Sequence, residues 1–292
     1  MKFKIYSSFI LLFCLFTEVF PQSATDIYVL DLDLSGEQPT LQNPRNITDR
    51  QGYDNQASFS PDSKSVLYTS IRGGQADIFR YFLDSKEVQQ ICNTPNTSEY
   101  SPKIMPGGKA FSVVRVEADG KTQRLWKFSL KKGKAKLLMS QVQPVGYYTW
   151  YKKGHLAMFI LGEPNTLKYT SVKSQELKGF DFNLGRSVHT IPGTERVSFV
   201  DKSKEESWLI RSWDSTSGEM KTLTETLSGK EDYCWTPDGR IFMGKEGHLF
   251  VFDPQNAAKG WMDLGNLGIG DFYRLAVSPD GKHLAAVAFL TQ

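Results

Sequence analysis

A Ser-Pro-Asp-(Gly/Ser) turn signature returns along this chain, each time after an apolar residue and before a new apolar run. It stands at Phe59-Ser60-Pro61-Asp62-Ser63 before Val66-Leu67-Tyr68, and at Trp235-Thr236-Pro237-Asp238-Gly239 before Ile241-Phe242-Met243. A third copy, Val277-Ser278-Pro279-Asp280-Gly281, precedes Leu284-Ala285-Ala286-Val287. Weaker copies are read at Ile104-Met105-Pro106-Gly107-Gly108, Trp150-Tyr151-Lys152-Lys153-Gly154 and Phe199-Val200-Asp201-Lys202-Ser203. The copies are spaced by roughly 36 to 49 residues, the interval at which propeller blades repeat. The motif has a local cause: proline presets φ for a turn corner, aspartate bonds the backbone ahead of it, and glycine accepts positive φ. One such turn occurs in any β-protein. Six in register define a repeat.

Each unit reads alike. An apolar-alternating run enters the turn and a second leaves it, as in Ser65–Ile71, Ala110–Val116 and Leu156–Leu161. A Gly- or Asp-bearing loop follows, then a third run with aromatic alternation (Asp77-Ile78-Phe79-Arg80-Tyr81, Leu249-Phe250-Val251-Phe252) and a short fourth (Val88–Cys92, Ala135–Met139). Four short strands joined by tight turns make a meander, and apolar residues on both faces let sheet pack on sheet. The chain opens on a third-strand pattern, Asp26–Leu32, with a fourth near Arg45–Thr48. It closes on first- and second-strand patterns, Tyr273–Val277 and His283–Phe289. The expected fold is all-β: a six-bladed β-propeller over residues 25–292 with four-stranded blades. Its last blade is closed by N-terminal outer and C-terminal inner strands, which leaves no open seam.

Residues 1–22 read as an export signal. Lys2 and Lys4 supply the charged start, Phe9–Phe20 the apolar stretch, and Gln22-Ser23-Ala24-Thr25 a polar cleavage region. The apolar run is short for a membrane span and carries Glu18. Phe13 directly before Cys14 argues against lipid modification. A periplasmic or secreted chain without a membrane span in its mature form is expected. The net charge of +3 falls to +2 once Lys2, Lys4 and Glu18 are removed. The Lys131-Lys132-Gly133-Lys134 cluster sits in a hairpin, so no nucleic-acid partner is expected. Cys92 and Cys234 fall in different parts of their units and are expected to be unpaired buried thiols. No zinc-spaced Cys/His set occurs.

The Ser-Pro-Asp-Gly turns, the Asp-Ile-Phe/Tyr third strands and Glu99-Tyr100-Ser101-Pro102 resemble the TolB-type, WD-repeat-like propeller module over nearly the whole exported chain. Similar repeats form the regulatory propellers of prolyl-oligopeptidase-like and tricorn-like peptidases. The resemblance is to the propeller module rather than to full-length TolB, which carries a further domain before it. It implies a fold, and a role in a Tol–Pal-like system only by analogy.

Catalytic motifs are sparse. Gly185-Arg186-Ser187-Val188-His189 lacks the second glycine of a nucleophile elbow and is read as a loop between blades. No metalloprotease, phosphate-loop or calcium-loop pattern appears. His155, His248 and His283 read as solvated turn residues. His189, in the connection Arg186–Gly193, is a candidate for binding. Counting back from each turn places Asp54, Glu99, Tyr147, Arg196, Asp232 and Arg274 at the starts of the inner strands. A hard cation wants converging oxygens that two arginines oppose, so the mixture suits a polar binding mouth better than a metal cage. The second-to-third-strand connections add Arg72, Arg115, Glu117, Glu163 and Asn165 on the same face; taken singly, each also reads as a solvated loop group. Tyr100, Tyr147, Tyr148, Tyr233, Phe272 and Tyr273 lie beside these charges.

Two functions follow. The first is a non-enzymatic envelope module that binds a protein or peptide on the funnel face, monomeric and without cofactor or metal. The second is an exported propeller enzyme, lyase- or lactonase-like, using His189 with Asp54, Glu99 and Asp232 at the tunnel mouth.

Overall fold

Twenty-four strands arrange as six four-stranded antiparallel sheets in the computed structural model, which describes residues 23–131, 133–181 and 183–290. The proposed signal, with Cys14, lies outside the described residues. The chain starts with β1 (Thr25–Asp33) and β2 (Thr40–Asn46), the outer strands of the sixth blade. Blade one holds β3 (Asp54–Phe59), β4 (Ser65–Arg72), β5 (Gln75–Phe82) and β6 (Val88–Gln90). Blade two holds β7 (Ser98–Ile104), β8 (Ala110–Val116), β9 (Gln123–Ser129) and β10 (Ala135–Leu137). Blade three is β11 (Val145–Lys152), β12 (His155–Ile160), β13 (Thr166–Ser171) and β14 (Lys178–Phe180). Blade four is β15 (Leu184–Thr190), β16 (Arg196–Asp201), β17 (Leu209–Asp214) and β18 (Met220–Glu225). Blade five is β19 (Tyr233–Trp235), β20 (Ile241–Lys245), β21 (His248–Phe252) and β22 (Met262–Asn266). β23 (Phe272–Val277) and β24 (His283–Phe289) return to the sixth blade, where Thr25 to Asp31 of β1 pair with Phe289 to His283 of β24. The expected ring closure is what the chain builds.

The repeated turns are held by their own side chains. Ser60 Oγ donates to Asp62 Oδ1 (2.5 Å) and accepts from the Ser65 amide (3.0 Å). Ser278 repeats this with Asp280 (2.6 Å) and the His283 amide (2.9 Å), and Thr236 with Asp238 and the Arg240 amide. Blade four departs from the expected register. Its inner-to-second-strand turn is Ile191-Pro192-Gly193-Thr194, closed by Thr194 N–H to Ile191 O. Phe199–Asp201 is instead the end of the second strand, and the positions of that blade shift accordingly.

Apolar residues on both sheet faces form six buried clusters among the described residues, one at each blade interface. Polar locks supplement them. Tyr233 OH and Trp235 Nε1 of blade five both reach Ser198 Oγ of blade four, each at 2.8 Å. Tyr148 OH and Trp150 Nε1 grip Ser112 of blade two in the same way (2.8 and 2.9 Å). Replacing Ser198 with alanine leaves a buried phenol and indole without that partner, an expected loss of about 2–4 kcal/mol. At roughly 2–4 °C per kcal/mol for a large domain, the melting temperature should drop by about 5–10 °C. Cys92 and Cys234 are both buried free thiols.

Candidate functional site: the mouth of the central channel

Because each blade is an antiparallel meander, the starts of the inner strands and the second-to-third-strand loops open on one face. The Pro-Asp-Gly turns lie on the other. The inner strands of all six blades line a central cavity of about 100 Å³. A wider funnel of about 460 Å³, reaching Tyr53, Trp208, Lys230, Tyr273 and Phe289, shares Arg186 and Asp232 with it.

The mouth is a hydrogen-bonded clamp. Arg186 Nε donates to Asp232 Oδ1 (2.9 Å), with a second contact from its Nη2 to Oδ2. Arg274 donates to Tyr147 OH (2.6 Å) and Asn55 Oδ1 (2.9 Å), and its Nε lies 3.8 Å from Asp232. Asn55 in turn donates to Tyr273 OH (2.5 Å). Both guanidinium groups face the Tyr273 ring at 5.5 Å. Planar guanidinium forks suit such shared carboxylate and aromatic contacts. Gly185 has a local reason to be glycine: a Cβ there would come within 2.8 Å of Glu231 Oε2 and 2.9 Å of Val200 Cβ. Glu231 thereby approaches closely enough to accept the Arg186 amide (3.1 Å). The string that superficially resembles a nucleophile elbow is strand β15, shaped for this approach.

The residues singled out from sequence separate into three sets. Tyr147, Asp232, Arg274 and His189 do meet along the channel. Asp54 and Glu99 start inner strands but are fully buried and engaged elsewhere. Asp54 pairs with Arg50 Nε (2.9 Å), and Glu99 with Arg115 Nε (2.7 Å) and Thr97 Oγ1 (2.9 Å). Burial pushes both carboxyl groups above their ordinary range despite these partners. Arg115, expected in a loop, lies buried in β8. Arg72, Glu117, Glu163 and Asn165 stand on the funnel side but outside the cavities. Arg72 covers the Phe79 ring at 3.9 Å, and Asn165 Oδ1 accepts the Gly162 amide (3.1 Å). Glu117 accepts Arg124 from two sides (2.7 and 2.6 Å), which holds its carboxyl below the usual range.

Arg196 does not reach the mouth. It begins β16 beside the turn, pairs with Asp214 (2.9 Å) and Glu219 (3.1 Å), and sits on the face opposite the funnel. The false turn of blade four puts it at the mouth and hides Arg186, which occupies the place assigned to it. Pro192-Gly193 is the signal that finds the register. His189 is likewise not in a loop but in inner strand β15, 4.7 Å from the Tyr233 ring. Burial, and then the Lys103 charge, pull its pKa down to about 3.

The His189 shift has a sign. Its folded pKa lies below the unfolded value near 6.5, so the unfolded chain binds a proton that the folded chain refuses. Stability from this residue is present above about pH 6.5 and lost as pH falls toward 3. Denaturant midpoints should decline between pH 7 and about 4.5, and the decline should be shallower in His189→Gln. A His189 ring signal titrating near 6.5 would contradict this.

One group of metal-donor side chains converges among the described residues: Asp77, Cys92 and Glu99. These residues are already bound to their surroundings. Cys92 Sγ accepts the Ile78 amide (3.0 Å) and donates toward Asp77 Oδ1 (3.6 Å), and Asp77 accepts the Thr94 amide (3.2 Å). Burial raises the thiol well above its ordinary value. A thiol held protonated beside an arginine-paired carboxylate is a structural knot between blades one and two.

A TolB β-propeller domain model matches residues 15–175. The chain belongs to that family. No curated protein matches the sequence. Among solved structures this TolB-family propeller is similar to a putative TolB from Agrobacterium tumefaciens, with a TM-score of 0.71 and 13% identity over 93% of this chain and 100% of that one. TolB from Acinetobacter baumannii gives 0.61 and 12% over 91% of this chain, which spans 64% of that protein's length. An oligogalacturonate lyase from Vibrio parahaemolyticus gives 0.60 and 12%, covering 85% of this chain and 83% of its own. At these identities the similarity establishes the fold alone.

Proposed function

We propose that this chain is an exported, non-enzymatic binding module of the cell envelope that recognises a protein or peptide at the funnel and channel mouth. The observation that carries the proposal is the Arg186–Asp232–Arg274 clamp, set among Tyr53, Tyr147, Trp208 and Tyr273 on a rigid ring. Arginine, tyrosine and tryptophan are the side chains that dominate protein-binding hot spots. The exposed Phe289 and the Lys202 ammonium over Trp208 (3.8 Å) extend that surface outward.

The lyase- or lactonase-like alternative needs a free base at the mouth. Asp232 is engaged by two arginines, Asp54 and Glu99 are buried in ion pairs, and His189 lies far below the pKa suited to a general base near neutrality. Export rests on the sequence of residues 1–22. No helix of the described residues is long and apolar enough to cross a membrane.

The test is capture from envelope extract with the exported form, beside metal analysis of the purified protein and an oligogalacturonate cleavage assay. A polypeptide retained by the parent and lost in Arg186→Glu supports the proposal. One tightly bound divalent ion per chain, or cleavage of the oligosaccharide, would replace it with the enzyme reading.

A further inference from the structure

The channel below the clamp contains a cation with no counter-charge among the described residues. Lys103, near the turn-side end of inner strand β7, lines the 100 Å³ cavity and is half-buried. Four other partly or fully buried cations of the ring do have carboxylate partners: Arg50 with Asp54, Arg115 with Glu99, Arg186 with Asp232, Arg240 with Asp238. No hydrogen bond or ion pair with another described residue offsets the desolvation of the Lys103 ammonium, and its pKa is lowered by burial alone. A second group nearby also lacks a partner. Ser101, two residues earlier on β7 and more than nine-tenths buried, lines the same cavity, and its hydroxyl has no hydrogen-bond partner among the described residues.

The remaining ionisable groups along the cavity do not balance Lys103. Asp232 is the sole carboxylate among the described lining residues, facing Arg186 and Arg274 at the mouth, and His189 is neutral. Lining charges of Lys103, Arg186 and Arg274 against Asp232 leave the channel cationic. An uncompensated, partly desolvated charge is costly, and here Lys103 and Ser101 both line the cavity, with the Ser101 oxygen itself enclosed.

We propose that the channel is an anion pocket in which Lys103 and Ser101 receive a carboxylate, presented through the funnel by an acidic side chain or chain terminus of the bound partner. This rests on the binding reading above and deepens it by naming what the partner inserts. The volume, about 100 Å³, suits a carboxyl group with one or two carbons behind it. The Lys103 ammonium supplies the charge, and the Ser101 hydroxyl, enclosed as it stands, becomes a donor once its side chain turns toward the cavity. Neutral His189 and the Gln56 and Tyr147 side chains form its walls.

The test needs no partner, so it can fail while the recognition proposal stands. Protein carrying 13Cε-labelled lysine is titrated with alkali in the presence of acetate or chloride at equal ionic strength. The Lys103 signal is assigned by its loss in Lys103→Met, a change that removes the ammonium and keeps an unbranched side chain. Half-saturation near 10 mM, modest for a four-atom ligand, would raise the Lys103 midpoint by about one pH unit in 100 mM acetate through linkage. Exposed lysines such as Lys64 and Lys153 should move by less than about 0.2 unit. N-acetylglycine and N-acetylaspartate α-amide then separate the two sources: whichever gives the larger shift identifies a chain terminus or an acidic side chain. Equal shifts at every lysine, a shift as large in chloride, or none with any of the three carboxylates would overturn the proposal. The readout is made in the parent protein, and the variant serves only to assign the signal, with the unchanged signals of the exposed lysines showing that it keeps the fold.

Discussion

Deleting residues 26–34 should abolish cooperative folding near physiological temperature. That segment is most of β1, which pairs with β24 over seven residues and carries Ile27, Val29, Leu30 and Leu32 into the clusters on both sides of the sixth blade. Its loss exposes the edge of β24 and opens the ring where first and last strands meet. Burying one such aliphatic side chain contributes about 1.5–3 kcal/mol, and four together rival the roughly 5–15 kcal/mol stability of a whole domain. Arg240 adds a clasp to the same seam, donating to the carbonyls of Leu34 (2.8 Å), Gly36 (3.0 Å) and Glu37 (3.1 Å). The deleted chain should aggregate or melt without a sharp transition in calorimetry. A cooperative transition at the parent temperature would mean the ring does not depend on this closure.

Arg115→Met should rank among the most damaging single substitutions in the ring, and its cost should depend on pH. The side chain is buried, stacks over Trp126 at 4.2 Å and neutralises fully buried Glu99. Removing one partner of a buried pair costs about 3–5 kcal/mol because the other charge is left uncompensated. Glu99 already holds its proton more tightly than a free glutamate, and without Arg115 it will do so more strongly. A folded-state pKa above the unfolded one contributes stability that is present at low pH and lost as pH rises through the folded value. The deficit in denaturant midpoint should therefore be largest near pH 7 and smaller near pH 5. Arg115→Met with Glu99→Leu should recover much of the loss. A deficit independent of pH, and unrelieved by the second change, would show that packing rather than charge sets the cost.

These two residues mark where the sequence stops being informative. Glu99 and Arg115 are visible as polar groups at the right strand positions, but nothing in their spacing reveals that they answer each other. Their bond runs across β7 and β8, where a register shift between Tyr100 and Lys103 changes which side chains face the channel. Asp54 is hidden by the same kind of event in β3, between Asn55 and Ser58. The blade count and the closure are legible because turn chemistry is local: Ser60, Thr236 and Ser278 each fold their own turn through bonds spanning a few residues. Blade four misleads because Phe199-Val200-Asp201 mimics the apolar approach to a turn, while Ile191-Pro192-Gly193 lacks the aspartate. That mimicry displaces Arg196 to the mouth and hides Arg186 from it. Lys103 carries no sequence signal at all, since a lysine on an alternating strand looks solvent-facing until the ring closes around it.

The proposed recognition takes place at the funnel and not on the turn side. The direct measurement is the affinity of the captured partner for three forms of the protein: the parent, the pair Arg186→Gln and Trp208→Ala, and the set Lys64→Gln, Lys109→Gln, Lys153→Gln and Lys282→Gln. Hot-spot side chains contribute upward of about 1–2 kcal/mol each. The funnel pair should therefore weaken binding at least tenfold, with only a few degrees' change in melting temperature. The turn-side set, made of isolated surface charges that shift stability by about 0.5 kcal/mol or less, should stay within about twofold of the parent in affinity. Undiminished binding by the funnel pair together with tenfold loss in the turn-side set would place the working face on the opposite side of the ring.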